Sequence, residues 1–558
     1  MSGEMEQRYA KLAEAFAADG FRVVKRAFTQ SGGMGLMAKH LTAANYDTGE
    51  KKAAYYLEGT PYDRGYLLGL LAEPAVADMA VSFADNIVFD QIRLDFLNRF
   101  TWLQKLLVAL VEELTQSAWK SLPAHVHDEA AGLLDGCRKS NAKTKVTMSR
   151  LMVLNAGIDS MLALLYTGGI LREQAPLLKA EDIRIKLMCN AFSVFGAQAG
   201  GGHYFARDFM FASGAVLQNN VAHIIHCPLG RAEERGLMHV NVTAPGIIGC
   251  FSAMNESGVA GGINMSPAAN CDPQRVGMNS LLLLRECVMH GASAREAAAV
   301  IKAARRGVSW NYVLSDGYED TACTVEAGAS WPHTDYMNMP PAALRQYLPD
   351  PNFFEQYPAA PIINGAAVRW YGDPLPQEYL SYNSSLWRAW NESSSPQVTL
   401  HAGALEPDGF INRTQEEKNC PSTQYFAPLR ALEGVHMTGN HFLLPQMRLC
   451  AMDSWVARLT LGHANDIQWR YDALRSELSK TLRRDGSISF ASARRLADFL
   501  APYGAYPAYY KSKPRSRDGK ALRIEGCVSV FDLKACAAES HYGYFADEWV
   551  RTTLPRYL

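Results

Sequence analysis

One position, Cys189, separates two kinds of sequence pattern and so limits the folds open to this chain. Before it, from about residue 75 to 185, apolar residues recur mostly at helical spacing, most clearly over residues 101–122. After it, residues 190–195 alternate and are rich in β-forming side chains, residues 200–202 are a run of glycine, and His203–Phe211 has the pattern of a returning strand. The sequence therefore predicts a β-hairpin that starts at Cys189.

This hairpin carries three side chains that could take part in catalysis. Cys189 opens the first strand, and the returning strand holds Arg207 and Asp208. A thiol beside a cation and a carboxylate can act as an activated nucleophile. Cysteines in strands are more commonly small buried apolar residues, so the hairpin alone leaves both interpretations open.

Composition narrows the class of protein. Lys and Arg number 55 and Asp and Glu 56, so the net charge of -1 gives no electrostatic reason to expect nucleic acid. The 11 cysteines form no Cys-x-x-Cys pair, which favours a reducing compartment. The first residues lack the apolar core of a secretory signal, and the apolar stretch 151–171 contains Asn155 and Asp159. We therefore expect a cytoplasmic protein with no membrane span.

Further elements can be placed along the chain. Residues 53–57 form a short predicted strand that enters the segment Gly59-Thr-Pro-Tyr-Asp-Arg-Gly65, and two strands surround the turn Asn255-Glu-Ser-Gly258. Helices are predicted over residues 279–290 and from Ser293, where Glu296 completes a capping box. Residues 310–316 and 321–326 form another predicted strand pair, and residues 526–531 a late strand.

Residues 331–400 interrupt this pattern. They hold nine prolines between positions 332 and 376, together with many aromatic side chains. The aromatic content favours an ordered, irregular insertion over a disordered linker. Such an insertion could cover a site and shape a pocket, or it could be surface elaboration or a subunit contact.

Several separated segments resemble the acyl-coenzyme A:6-aminopenicillanic acid acyltransferase family of N-terminal-nucleophile hydrolases. That family is related to bile-salt hydrolases, penicillin V acylases and phospholipase-B-like proteins. The similar segments occur in the family's order and span roughly residues 50 to 550. They are residues 59–69, the Cys189 hairpin with Ala206-Arg207-Asp208, residues 255–264, Leu284-Arg-Glu286 with Ala294-Arg-Glu-Ala297, residues 311–316, Gly439-Asn-His-Phe442 and Trp469-Arg-Tyr471.

The resemblance implies an α+β fold, a four-layer αββα sandwich of two antiparallel sheets flanked by helices. It also implies self-cleavage between Met188 and Cys189, because the α-amine of a new N-terminal cysteine can take the proton of its own thiol. The products would be a mainly helical chain of residues 1–188 and a nucleophile-bearing chain of residues 189–558, associated as a heterodimer. The family often has a smaller residue before the cysteine than Met188. A homo-oligomer is also open.

The resemblance assigns roles to five side chains. Cys189 would attack an amide or thioester carbonyl of a small acyl substrate, and Asn264 and Asn440 would stabilise the oxyanion. Arg207 would lower the pKa of the thiol or bind a substrate carboxylate, and Arg470 would support the site. The implied activity is an amidohydrolase or acyltransferase acting on linear C–N bonds, with no cofactor and no metal.

One position departs from the family. Relatives commonly read Gly-Arg-Asn-x-Asp, and the final aspartate binds the cysteine amine; here Met210 stands in its place. Asp208 could take over after a local shift, the amine could be held differently, or activity could be impaired. We expect Asp208 to take over.

Other interpretations are weaker. His223-Ile-Ile-His226-Cys227 looks like a metal motif, but on a strand His226 points away from the face shared by His223 and Cys227. Two further functions stay open: a phospholipase-B-like lipid amidase or esterase, and a non-catalytic scaffold that binds a small acylated ligand.

Overall fold

The computed structural model describes most of the chain. The described residues are 3–83, 113–167, 187–211, 214–231, 234–266, 271–272, 274–330, 363–373, 432–440, 442–444, 447, 464–500 and 523–555.

A ten-stranded sheet forms the larger layer, and its strands lie side by side in the order β1-β2-β3-β6-β7-β8-β9-β10-β11-β12. Neighbouring strands are antiparallel except β3 and β6, which are parallel. The strands are β1 Phe21–Phe28, β2 Met34–Ala44, β3 Lys51–Gly59, β6 Ala222–Pro228, β7 His239–Thr243, β8 Ser252–Asn255, β9 Val259–Met265, β10 Trp310–Asp316, β11 Thr321–Ala327 and β12 Ala366–Trp370.

The second sheet has six strands in the order β13-β4-β5-β14-β15-β16, all antiparallel. The predicted hairpin lies near its centre as β4 and β5. The strands are β4 Leu187–Phe195, β5 His203–Phe211, β13 Val435–Thr438, β14 Arg523–Asp532, β15 Ala537–Tyr544 and β16 Val550–Thr553.

Helices cover the outer faces of both sheets. Helices α2, α6 and α7 pack on the ten-stranded sheet, α3 packs on α2, and α8 and α9 pack on the six-stranded sheet. The helices are α1 Gly3–Ala18, α2 Pro61–Asp78, α3 Ala124–Ser140, α4 Met148–Thr167, α5 Gly214–Asn220, α6 Ser280–His290, α7 Ala294–Ala303, α8 Ala464–Asp485 and α9 Phe490–Leu500. The architecture is the four-layer αββα sandwich that the sequence predicts.

Alternation along the hairpin decides which side chains reach the space between the sheets. Cys189, Ala191 and Phe209 belong to the core shared with the ten-stranded sheet. Phe192, Val194, Ala206 and Met210 belong to a separate core that includes Tyr471 and Leu474 of α8. Because successive residues of a strand point to opposite faces, a shift of one residue exchanges the two environments.

The segment before Cys189 contains more strand than the sequence predicts. The expected strand at 53–57 is the centre of β3, but β1 and β2 precede it and extend the ten-stranded sheet. β1 is an edge strand whose exposed positions include Arg22, Lys25 and Arg26. Charged side chains are common on edge strands, where they discourage pairing with other chains, and they conceal the apolar alternation. The expected helix at 101–122 lies within the described part of the chain only from residue 113.

Candidate active site

Cys189 lies in the third position of β4, and its side chain is directed between the sheets. Only 2% of the residue is exposed. Its backbone N–H donates to Asn440 Oδ1 at 2.6 Å. In the intact chain the nitrogen that would become the α-amine is therefore already held by a side chain from a distant segment.

The surroundings of Cys189 act on the pKa of its thiol in both directions. Burial raises the pKa of the thiol, the Arg207 charge lowers it, and the Asp208 charge raises it again. Backbone groups of Met210 and Met265 also lower this pKa, but the net direction is upward. The thiol is thus neutral at physiological pH in the intact chain and needs a base to react.

Arg207 is fully buried beside the thiol and is held by four oxygen acceptors. Nη1 donates to the Phe251 carbonyl and, at 3.2 Å, to Ser252 Oγ. Nη2 donates to the Ile263 carbonyl and, at 3.3 Å, to Asn264 Oδ1. This fork fixes the guanidinium as a permanent positive charge next to the sulfur.

Gly262 provides the space for this guanidinium. A Cβ added at Gly262 would lie 2.5 Å from Arg207 Cδ. Gly262 in Val-Ala-Gly-Gly-Ile-Asn264 is therefore required for the close approach of Arg207 to β9, a role that sequence analysis did not assign.

Asn440 binds the Cys189 nitrogen, and Asn264 contacts the two residues just before Asn440. Asn440 Nδ2 donates to the Met265 carbonyl at 2.7 Å. Asn264 Nδ2 faces the carbonyls of Thr438 and Gly439 at 3.3 and 3.4 Å. Both amide groups expected to stabilise an oxyanion thus bind backbone oxygen in the intact chain.

Asn311 is a buried site residue that sequence analysis did not select. It pairs directly with Asn264 across β9 and β10, and its Nδ2 donates to the Gly439 carbonyl at 3.2 Å. The available signal was its place at the start of the segment 311–316, which was noted only as part of the resemblance.

Asp208 does not take the position expected for it. In β5 it is the partner of Asn190, and its carboxylate accepts the Asn190 backbone N–H and, at 3.2 Å, Asn190 Nδ2. Met210, two residues further on, lies in the core beneath α8 and α9. In the intact chain the acceptor of the Cys189 N–H is Asn440, and strand alternation directs Asp208 to the face opposite Cys189. The role of Asp208 at the cysteine amine after cleavage stays a prediction.

Arg470 is less closely defined. Its backbone belongs to α8, which contacts β4 and β13 from the helical side of the six-stranded sheet. Its side chain lies outside the described residues, so its support for the site remains a prediction.

The metal-like motif separates as its strand spacing predicts. His223 Nδ1 contacts Thr552 Oγ1 at 2.8 Å, whereas His226 stacks on His239 with ring centroids 5.2 Å apart. Among the described residues, no three His, Cys, Asp or Glu side chains are grouped as metal ligands would be.

A second cluster has the distances of a catalytic triad. His203 Nε2 lies 2.7 Å from Ser315 Oγ, and His203 Nδ1 lies 3.1 Å from Asp320 Oδ1. Ser315 and His203 have no exposed surface, so a substrate cannot reach the hydroxyl. The cluster instead ties the turn end of the hairpin to β10.

No family model matches the sequence. An uncharacterized protein from Archaeoglobus fulgidus is 24% identical over 513 residues, which are 91% of this chain and 66% of that protein. The chain therefore spans slightly less than two thirds of this relative's length. The resemblance to the acyltransferase family is not confirmed by these comparisons.

The solved structures similar to this chain include amide hydrolases. Two point variants of conjugated bile acid hydrolase from Clostridium perfringens share 10% identity, with TM-scores of 0.33 and 0.29. They cover 66% and 65% of this chain and 94% and 92% of theirs. An N-acylethanolamine-hydrolyzing acid amidase ortholog from Caenorhabditis elegans also shares 10% identity, with a TM-score of 0.19, over 24% of this chain and 59% of its own. Scores this low carry no argument about activity.

In the described part of the chain, no helix combines the length and the apolar character needed to cross a bilayer.

Proposed function

We propose that this protein is a self-processing cysteine amidohydrolase or acyltransferase of the N-terminal-nucleophile kind, with Cys189 as the nucleophile. One observation carries the proposal: Cys189 has its nitrogen on Asn440 Oδ1 and its sulfur beside the buried guanidinium of Arg207. Every buried backbone N–H needs an acceptor, but a structural cysteine in a strand needs no side-chain acceptor from a distant segment and no buried cation beside its sulfur.

The proposed first step is cleavage of the chain at its own cysteine. The thiol of Cys189 attacks the carbonyl carbon of Met188, the C–N bond breaks, and the thiol proton passes to the departing nitrogen of Cys189. Water then hydrolyses the resulting thioester, which leaves a carboxylate on Met188 and restores the thiol. The products are residues 1–188 and residues 189–558.

In the cleaved enzyme, the neutral α-amine of Cys189 takes the thiol proton. The thiolate attacks the substrate carbonyl, the leaving amine departs with a proton, and an acyl-enzyme forms. Water or a second amine then accepts the acyl group. Asn440 Oδ1 accepts one N–H of the amine, and this contact aims the nitrogen lone pair at the sulfur. Asn440 thus accepts the hydrogen bond from the cysteine amine that, in the family, an aspartate at the place of Met210 would accept.

Oxyanion stabilisation completes the proposal. Asn440 binds the Cys189 nitrogen and Asn264 contacts Arg207, and the amide groups of both asparagines donate to backbone carbonyls in the intact chain. In the acyl-transfer step, at least one of them donates to the developing oxyanion in place of that carbonyl. The substrate class is a small linear acyl amide or thioester.

The test compares Cys189→Ala with a matched control, Cys527→Ala. Cys527 is also fully buried, and in β14 it pairs with Phe209, the β5 residue that Cys189 pairs with from the other side. Purified chains are assayed on N-acyl amino acids, β-lactams and lysophospholipids. We expect Cys189→Ala to abolish turnover and Cys527→Ala to preserve it.

The outcomes separate the alternatives. Turnover confined to lysophospholipids would favour a lipid amidase or esterase. Turnover that survives Cys189→Ala would refute the mechanism. Binding of acylated compounds without turnover by the unmodified chain would indicate a non-catalytic scaffold.

A further inference from the structure

The segment that carries Asn440 rests on a row of buried polar side chains. Asn264, Asn311 and Glu326 are direct neighbours across β9, β10 and β11. Asn264 and Asn311 direct their Nδ2 groups at the Gly439 carbonyl. The row therefore lies directly beneath the chain that positions the acceptor for the Cys189 nitrogen.

Glu326 holds the far side of this segment. Its two carboxylate oxygens accept the backbone N–H groups of Leu443 and Leu444, at 2.9 and 3.0 Å. The residue has no exposed surface. Charge-assisted hydrogen bonds from two consecutive amides define both the position and the direction of a chain segment, since a carboxylate presents its oxygens at fixed spacing.

Arg369 holds the near side. It comes from β12, the described strand within the proline-rich region 331–400. Its Nη2 donates to the Met437 carbonyl at 2.9 Å and to Thr324 Oγ1 at 3.2 Å, and its Nε lies 3.6 Å from Glu326 Oε1. One cation thus ties β13, just before Asn440, to the carboxylate that ties the chain just after it.

We propose that Glu326 and Arg369 form a clamp that positions Asn440, and that β12 is present to supply Arg369. The catalytic meaning of the clamp rests on the proposed function; its mechanical meaning does not. The contacts described for Glu326 and Arg369 are with the chain on either side of Asn440, so both act through Asn440. A strand from the proline-rich region is then part of the site's support and more than surface elaboration.

A hydrogen-bonding group at a catalytic centre must be held within about 0.5 Å of its working position. Asn440 lies in a segment between β13 and residues 442–444 and has no regular secondary structure of its own. Burying the carboxylate of Glu326 and the guanidinium of Arg369 costs free energy that apolar side chains of the same size would not cost. We therefore expect such a buried ion pair where it holds a chain segment in a defined position.

The mechanical test uses hydrogen exchange in a Cys189→Ala background, which keeps every chain uncleaved. We expect Glu326→Gln to raise amide exchange in residues 432–444 by about tenfold, the effect of one lost hydrogen bond. The matched control is Glu129→Gln. Glu129 is also buried and binds two arginines, Arg64 and Arg285, but it lies in the helical layer. Glu129→Gln should raise amide exchange in α2 and α3 and leave residues 432–444 protected.

The catalytic test measures the self-cleavage rate in chains that keep Cys189. Glu326→Gln should slow cleavage about tenfold or more, and it should add less than about twofold in an Asn440→Ala background, because neighbours that act through one group are not additive. Arg369→Lys, which keeps the charge and loses the planar fork, should slow cleavage by a smaller factor. Arg369→Lys also serves as the second variant if circular dichroism shows that Glu326→Gln does not fold.

Two results would overturn the clamp. One is unchanged protection of 432–444 in both Glu326→Gln and Arg369→Lys. The other is an equal slowing of cleavage by Glu326→Gln with and without Asn440, which would indicate a general loss of stability. If no chain cleaves under any condition, the proposed function fails while the exchange experiment still decides the clamp.

Discussion

At the scale of single residues, the proposed reactivity of Cys189 depends on which side chain holds its nitrogen. The structure gives this role to Asn440, whose Oδ1 lies 2.6 Å from that nitrogen. Asp208 binds the next residue, Asn190. The sequence predicts Asp208 as the holder of the cysteine amine, and we propose the reverse, with Asn440 in that role.

The first prediction follows from this reversal. Asn440→Ala should slow self-cleavage and turnover by about a hundredfold or more, the usual cost of losing an oriented polar group at an acyl-transfer centre. Asp208→Ala should slow them less, because it loosens Asn190 and leaves the Cys189 nitrogen bound. Gel-based time courses of cleavage measure both.

Met210→Leu is the control, since Met210 packs in the core under α8 and α9 and a methionine-to-leucine change conserves volume. Its cleavage rate should match that of the unmodified chain. A larger loss in Asp208→Ala than in Asn440→Ala would contradict the assignment and restore the interpretation from the sequence.

The second prediction concerns Arg207 and the reactivity of the thiol. The Arg207 charge lowers the pKa of Cys189. Arg207→Met should therefore move the pH midpoint of iodoacetamide alkylation of Cys189 upward in the cleaved enzyme. Arg207→Lys keeps a positive charge and should move it less. An unchanged midpoint in Arg207→Met would mean that the guanidinium does not act on the sulfur.

At the scale of elements, the motif Gly59-Thr-Pro-Tyr-Asp-Arg-Gly65 proves to be a strand-to-helix junction. Thr60 caps α2 and forms a capping box with Asp63, and Pro61 begins the helix. Arg64 reaches back to the Gly59 carbonyl and across to Glu129 of α3. This part of the resemblance therefore reflects folding, and none of these contacts involves Cys189.

The third prediction concerns the contact between α2 and α3. A Cβ added at Gly65, Gly69, Gly132 or Gly136 would overlap backbone atoms of the opposite helix. Gly69→Ala should therefore lower the free energy of unfolding by about 1–3 kcal/mol, the usual cost of overpacking. Urea unfolding followed by circular dichroism measures the change.

Gly157→Ala in α4 is the matched control. Its added Cβ would meet a side-chain atom, Val153 Cγ1, at 3.2 Å, and no backbone atom of another helix. Alanine also has the higher helix propensity, by about 1 kcal/mol. The control should be neutral or stabilising. A loss of unfolding free energy in Gly157→Ala as large as that in Gly69→Ala would show that the close approach of α2 and α3 is not the constraint.

The elements best predicted from the sequence are those with unambiguous alternation or caps. The hairpin, the pair β10 and β11, and the start of α7 at Ser293 all agree with expectation. β1 was missed because its outward positions are charged, and β12 because it lies among prolines. The role of Asp208 stays a prediction, because a sequence does not reveal strand register, and a single-residue shift changes the face on which a side chain lies.

At the scale of the whole molecule, buried histidines make stability depend on pH. Burial lowers the pKa of His203 to about 4 and of His223 and His239 to about 3. The unfolded chain, with a histidine pKa near 6.5, therefore binds more protons than the folded chain below that pH. The stability these histidines contribute is fully present above pH 6.5 and is lost as the pH falls towards 4.

The fourth prediction is a loss of thermal stability between pH 7 and 5. Each histidine contributes up to about 1.4 kcal/mol per pH unit below 6.5. Asp159 opposes this trend, because burial raises its pKa to about 6. Burial also raises the pKa of Asp19, but it lowers the pKa of His226 and of His436 well below the usual range. The buried histidines outweigh the two carboxyls, so the melting temperature should fall. A melting temperature that stays constant or rises from pH 7 to 5 would contradict the account.

The whole-molecule arrangement also explains why the site could be predicted only in part. Asn264 and Asn440 are 176 positions apart and meet because two sheets stack face to face. The resemblance suggested both, since each lies in a recognisable segment. Glu326 and Arg369 carry no such signal, because their role exists only in the contact between β11, β12 and the Asn440 segment.

The most direct test of the central claim is the intact mass of the purified protein, with N-terminal sequencing of any fragments. The account predicts two fragments, the larger beginning Cys-Asn-Ala-Phe, and a Cys189→Ala variant that stays whole. A folded, unmodified chain that remains a single species of 61.5 kDa after prolonged incubation would contradict it.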